Sequence, residues 1–255
     1  MSGNSYNERL FGKGWPRKKL HSGRFEWLRN EINKLELKVA SVLELGCFDG
    51  RSIRYLPEDI EEYSGYDANW ENGLDNAISS YKGIVKYNFI LCTKAEDFNP
   101  KPKSVDISVS LETLEHIALS ELEKYLIKLA EATREYVFIT VPNEKGLILF
   151  LKYFYKKWIY RKVYDVYSKR ELWYATFGKL DKIERKEFGH KGFDYKNLIK
   201  KLENYFEIVD VKGIPVSWLP VSLNFTVGNI SKTQKIVRRT HLEVVYLISP
   251  GLKKS

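Results

Sequence analysis

The stretch Val42-Leu43-Glu44-Leu45-Gly46-Cys47-Phe48-Asp49-Gly50 constrains the fold of this chain more than any other. Apolar strand residues run into a glycine turn, a helix is expected over 51–56, and a second strand over 63–66 ends on Asp67. In an alternating α/β fold both strand tips face one crevice, at the carboxyl ends of parallel strands. Glycines there let the backbone approach a ligand, and the acid can accept hydrogen bonds from both hydroxyls of a ribose. The arrangement points to a cofactor containing a nucleoside.

Glycine spacing narrows the choice. A dinucleotide pyrophosphate is seated by Gly-x-Gly-x-x-Gly at a helix N-terminus. This turn reads Gly-x-x-x-Gly from Gly46 to Gly50, and Glu44 and Asp49 would repel a diphosphate. A cofactor carrying a cationic amino acid and a sulfonium suits an acidic turn better, which disfavours a dehydrogenase.

The alternation continues beyond the turn. Helices are expected over 72–81, 120–133 and 195–204, and strands over 39–45, 84–91, 105–111, 136–141, 206–211 and 242–249. Strands and helices alternating at these lengths imply a doubly wound, mainly parallel sheet covered on both faces. Ahead of the core, Phe25, Leu28, Ile32 and Leu35 recur at three- and four-residue steps, predicting a helix over 22–37. The chain reads as a single domain over 1–255. It has a basic N-terminal segment (1–38), a cofactor-binding core (39–143), an aromatic and basic insertion (144–192) and C-terminal strands (193–255) interrupted by an irregular insertion over 213–240.

Taken together, the motifs resemble those of the class I S-adenosylmethionine-dependent methyltransferases. The resemblance rests on Glu44 to Gly50, Tyr66-Asp67, Ala95-Glu96-Asp97-Phe98, the run from Val105 to His116, and Val137 to Asn143, in the family's order. It implies a Rossmann-like seven-stranded sheet with its last strand antiparallel, S-adenosyl-L-methionine as cofactor and S-adenosyl-L-homocysteine as product. Residue by residue, it assigns Glu44, Gly46 and Gly50 to the methionine end, Asp67 to the ribose, Glu96 to the adenine and Leu111 to the sulfonium side. Two departures stand out: Phe48 replaces the middle glycine and narrows the turn, and Lys94 stands where an acid often precedes the Ala-Glu-Asp run.

A sulfonium donor is already activated, so the protein mainly aligns the acceptor for in-line displacement. A hydroxyl acceptor must also lose a proton, for which imidazole is suited near neutrality. His116 lies just beyond the strand over 105–111, and His190, flanked by Gly189 and Gly192, precedes the helix over 195–204. Both are candidate bases. His21 is a further candidate for closing the pocket from the N-terminal side, and His241 reads as structural. The two cysteines, Cys47 and Cys92, form neither a disulfide framework nor a zinc pattern, and no metal is expected.

The formal charge of +9 favours an anionic partner such as a phosphorylated substrate, nucleic acid or a phospholipid surface. The expected reaction is O-methylation of a hydroxyl on a sugar or polysaccharide-linked precursor. Leu10 to Gly14 and Leu20 to Phe25 also look like relatives associated with surface-polysaccharide assembly. An RNA methyltransferase is the alternative, although no appended RNA-binding module and no Asn-Pro-Pro-Tyr-type tetrapeptide after Leu111 support it, so nucleic acid is not the expected partner. A catalytically silent protein that keeps the cofactor fold is the third reading, with Phe48 as its support. The insertion over 144–192 reads as a substrate lid, with peripheral membrane contact or dimerisation as other uses. No apolar run reaches the roughly 20 residues of a membrane span, and no signal segment is evident at the N-terminus, so a cytoplasmic location is expected.

Overall fold

A computed structural model describes residues 15–160, 167–185, 189–214 and 222–229. Seven strands form one sheet in the order β3-β2-β1-β4-β5-β7-β6. They are β1 (Ser41–Leu45), β2 (Glu62–Asp67), β3 (Tyr87–Leu91), β4 (Val105–Leu111), β5 (Thr133–Pro142), β6 (Phe206–Ile214) and β7 (Ser222–Asn229). Pairings among β1 to β5 are parallel, while β7 runs antiparallel to both β5 and β6. The sheet is therefore mainly parallel, with one reversed strand. Strand order changes direction between β1 and β4, which opens the crevice beyond Leu45 and Leu111.

Side chains alternate across the sheet with the two-residue period of extended backbone. On β5, Val137, Ile139 and Val141 enter one core while Phe138 enters the other. The first core lies under α3 (Leu119–Ala132) and α6 (Tyr195–Leu202). Helix α3 forms because Leu122, Tyr125, Leu126 and Leu129 recur on one face, all buried. Each such side chain stabilises the fold by roughly 1.5–3 kcal/mol. The second core lies under α1 (Trp15–Ile32), a 3₁₀ turn (Arg51–Tyr55) and α2 (Gly73–Ser80).

Besides shifts of up to three residues at strand ends, three elements differ from the sequence reading. Helix α1 starts earlier and stops at Ile32, because Leu35 packs on the core from the turn after the helix. The helix expected over 51–56 is a short 3₁₀ turn. The seventh strand is Ser222–Asn229, inside the segment read as an irregular insertion over 213–240. Polar Asn224 and Thr226, both buried, hide the pattern, although Leu223, Phe225 and Val227 keep the two-residue period. The strand expected over 242–249 lies outside the described residues, as do residues 1–14.

Within the 144–192 segment, α4 (Gly146–Tyr160) and α5 (Lys169–Thr176) pack around a small core of Leu149, Tyr167, Ala175, Leu180 and Ile183. Helix α5 starts on a capping box between Ser168 and Glu171. The outer side of α4 exposes Leu151, Phe154, Tyr155 and Trp158. Among the described residues no helix is long and apolar enough to cross a membrane.

Candidate functional site: a cavity at the crossover of β1 and β4

The crevice contains a cavity of about 700 Å³. Glu44, Gly46, Asp67, Glu96, Leu111 and His116 all contribute to its wall. Gly50, assigned to the cofactor, does not line it. Its φ of +69° needs glycine, and an added Cβ would sit 2.9 Å from the Tyr81 ring. Gly50 therefore shapes the turn from behind, where Tyr81 Oη donates to its carbonyl at 3.1 Å.

The turn is tied to the acid of β2. The backbone N–H of Phe48 donates to Asp67 Oδ2 at 2.9 Å, and that of Asn69 donates to Oδ1 at 2.8 Å. Burial pushes the Asp67 carboxyl up from its ordinary value, against these amides, which favour the anion. Gly46 extends the strand pairing through its N–H to the Tyr66 carbonyl at 2.7 Å, with φ +82°. Phe48 itself takes φ +47°, rare for a non-glycine residue. Its ring lies on Gly73, where an added Cβ would be 2.3 Å from Phe48 Cδ2. The departure from a middle glycine thus becomes one wall of the cavity instead of a plug in the turn.

Glu44 is buried at 2% exposure and accepts hydrogen bonds from Ser52 Oγ and Tyr63 Oη. Burial still raises its carboxyl to about 7, in spite of those donors. A cation bound beside it would draw the proton off. Further along, Tyr66, Cys92, Ala95 and Tyr125 form a flatter, apolar wall. Asp97 holds the loop below that wall by accepting from the N–H groups of Thr93 and Lys94 at 3.0 and 3.2 Å. Glu96 lies at the rim, exposed and paired with Lys124 at 3.3 Å, which lowers its pKa together with a backbone hydrogen bond.

Another part of the cavity wall is built by the turn after β4, whose Thr113 side chain packs against Gly46. Glu112 takes φ +54°, pinned by its N–H to the Thr140 carbonyl at 2.9 Å. A non-glycine residue held there costs of order 1–3 kcal/mol. Two residues named separately in the sequence meet here: the rings of His116 and His190 stand 4.7 Å apart, edge to face. Behind them sits Glu115, fully buried. The sequence reading missed Glu112 and Glu115; the signal was their i, i+3 spacing directly ahead of His116. Burial first, then the Glu112 charge, pushes the Glu115 carboxyl well above its ordinary range. Burial also lowers the pKa of His190.

No described residue of 144–192 lines the cavity. The insertion instead braces the wall behind it. Arg185 donates to the carbonyls of Glu115 and Ile117 at 3.1 and 3.3 Å, and Lys152 pairs with buried Glu144 at 2.8 Å. His21 falls on α1, whose neighbour Arg24 reaches the cavity; His241 lies outside the described residues.

A β1–turn–β2 cradle at the sheet's reversal point, with strand β7 antiparallel, defines the class I S-adenosylmethionine-dependent methyltransferase fold, and this chain has that fold. It is similar to magnesium protoporphyrin IX methyltransferase from Synechocystis, solved with bound S-adenosylhomocysteine, at TM-score 0.58 and 16% identity, covering 87% of this chain and 91% of that one. A TehB-like methyltransferase from Corynebacterium glutamicum matches at TM-score 0.52 and 13% identity, covering 79% and 86%. The small RNA methyltransferase HEN1 matches at TM-score 0.57 and 15% identity, covering 87% of this chain and 26% of that one. No family model and no curated protein matches the chain.

Proposed function

We propose that the protein transfers the methyl group of S-adenosylmethionine to a hydroxyl oxygen of a sugar or polysaccharide-linked precursor. The observation that carries the reading is a single cavity whose wall joins Glu44, Gly46 and Asp67 of the β1–β2 side to Glu112 and His116 of the turn after β4. The residues present fit the cofactor. Asp67 would take the ribose hydroxyls, Glu44 would face the cationic methionine end, and the wall of Tyr66, Ala95 and Tyr125 would take the adenine. The bound donor supplies an activated methyl group.

This chain's residues do the rest. The apolar side chain of Leu111 would keep water from the reacting groups, and the turn of Glu112 would hold the acceptor in line. His116, 42% exposed at the cavity wall, would receive the hydroxyl proton. The donor, held by Glu44 and Asp67, would supply the methyl group and keep the electron pair of its carbon–sulfur bond, while the acceptor oxygen would give its proton to His116.

The test is calorimetric titration with S-adenosylmethionine, S-adenosylhomocysteine and NAD, followed by transfer of radiolabelled methyl to sugar nucleotides and to RNA. Micromolar binding of the first two with label on a sugar supports the reading. Label on RNA alone would make RNA the acceptor and overturn the sugar reading. Binding of NAD alone would overturn the donor assignment, and cofactor binding without transfer to any acceptor would favour a silent binding protein.

A further inference from the structure

Glu115, His116 and His190 each offer a ligand atom, and these atoms lie within 4.8 Å of one another. Glu115 is fully buried, and among the described residues neither of its carboxylate oxygens has a hydrogen-bond partner. The same holds for Glu112 Oε1 and for His190 Nδ1, both buried atoms. His116 Nε2 is 3.8 Å from Glu115 Oε1, beyond hydrogen-bonding reach. Leaving a buried polar group without a partner costs about 1–3 kcal/mol. A chain that spends three acidic and imidazole groups on one such spot has shaped it for a ligand of opposite charge.

We propose that Glu115, His116 and His190 bind a first-row divalent transition cation, with Glu112 as a further carboxylate facing it from the cavity. The charges around the spot agree. Glu144 also adds negative potential, tempered by its pairing with Lys152, while Arg24 is the opposing positive neighbour of Glu115. Ligand chemistry narrows the metal. Two imidazoles and one carboxylate suit Mn²⁺, Co²⁺ or Zn²⁺, whereas Mg²⁺ and Ca²⁺ prefer all-oxygen sets. Three protein ligands leave positions open, and His116 and Glu112 both line the cavity, so the open side faces the acceptor. A cation there would polarise an acceptor hydroxyl and ease loss of its proton, the role that imidazole alone fills in the reading above. The cation site deepens that reading and rests on it only for this use; binding itself does not.

The experiment titrates the full-length, metal-stripped protein with Co²⁺, read by visible absorption, and with Mn²⁺, read by electron paramagnetic resonance. One equivalent is expected to bind, giving a Co²⁺ spectrum of mixed nitrogen and oxygen ligation. His116→Ala and His190→Ala should each weaken binding by more than the roughly 10–100-fold that outer-shell changes produce. Glu115→Gln, which keeps the side-chain shape but cannot become an anionic ligand, should abolish binding while leaving the metal-free protein folded. Circular dichroism and S-adenosylhomocysteine titration of each variant report folding and the cofactor end separately. Absence of a Co²⁺ spectrum, or binding unchanged in all three variants, overturns the cation site. If Co²⁺ binds while S-adenosylhomocysteine does not, the site stands and the donor assignment fails.

Discussion

The backbone N–H of Phe48 donates to Asp67 Oδ2 at 2.9 Å, so the acid that ends β2 holds the turn that ends β1. One carboxylate thereby serves two purposes. It fixes the backbone against which a cofactor would lie, and it keeps its remaining lone pairs toward the cavity.

Asp67→Ala should therefore weaken S-adenosylhomocysteine binding about 100-fold, near the upper range for hydrogen bonds to a charged group. Asp67→Asn should lose nearly as much, since its amide nitrogen cannot accept and one of the Phe48 and Asn69 N–H groups would be left unpaired. Calorimetry checks both. Unchanged affinity would place the ribose elsewhere.

Glu44 gives a pH signature. Its folded-state pKa is raised from 4.5 to about 7, so its contribution to stability is fully present below 4.5 and is lost as pH rises through 7. Urea titrations should show the metal-free, cofactor-free protein losing up to about 3 kcal/mol across that window relative to Glu44→Gln. Cofactor binding near pH 6.5 should release a proton, visible as a buffer-dependent binding enthalpy. Matching pH profiles for the two proteins would mean that Glu44 stays ionised throughout.

Gly73 is the seat of the Phe48 ring. Gly73→Ala should cost about 1–3 kcal/mol, as overpacking does, and should lower cofactor affinity by moving the turn. Phe48→Ala combined with Gly73→Ala should cost less than the sum of the two single changes. Strict additivity would show that the ring has another resting place.

At the opposite end of the sheet, Asp106 accepts from Arg134 Nη2 at 2.6 Å and from the N–H groups of Ala40 and Ser41 at 2.8 and 2.9 Å. Asp106→Ala should destabilise the protein by about 2–3 kcal/mol. Because this network lies far from the cavity, S-adenosylhomocysteine affinity should be unchanged. A drop in affinity for the folded variant would reveal coupling between the two ends of β4.

The parts of the site legible in sequence were those carried by single strand tips. Glu44, Gly46, Asp67 and Leu111 lie at or just beyond the carboxyl ends of β1, β2 and β4, whose alternating apolar residues mark those strands, and each reaches the cavity. Gly50 kept its conformational role but faces Tyr81 instead. What sequence could not convey is convergence. Nothing local announces that His190 arrives beside His116, because that contact depends on how the 144–192 segment returns across the turn of Glu115. The same holds for Arg24, which enters from α1. Strand β7 was obscured differently, since its buried Asn224 and Thr226 blur an otherwise regular apolar alternation.

The position of β7 also bears on synthesis. Strand β6 precedes β7 in the chain, yet its place in the sheet is reached only through β7, which lies between it and β5. A nascent chain can assemble β1 to β5 and the cradle early, but β6 must wait, unpaired, until residues 222–229 leave the ribosome. Until then the hydrogen-bonding edge of β5 stands open, the kind of edge on which chains join one another. Nascent chains arrested with residues 222–229 still inside the ribosome should accordingly aggregate more readily than chains arrested once those residues have emerged.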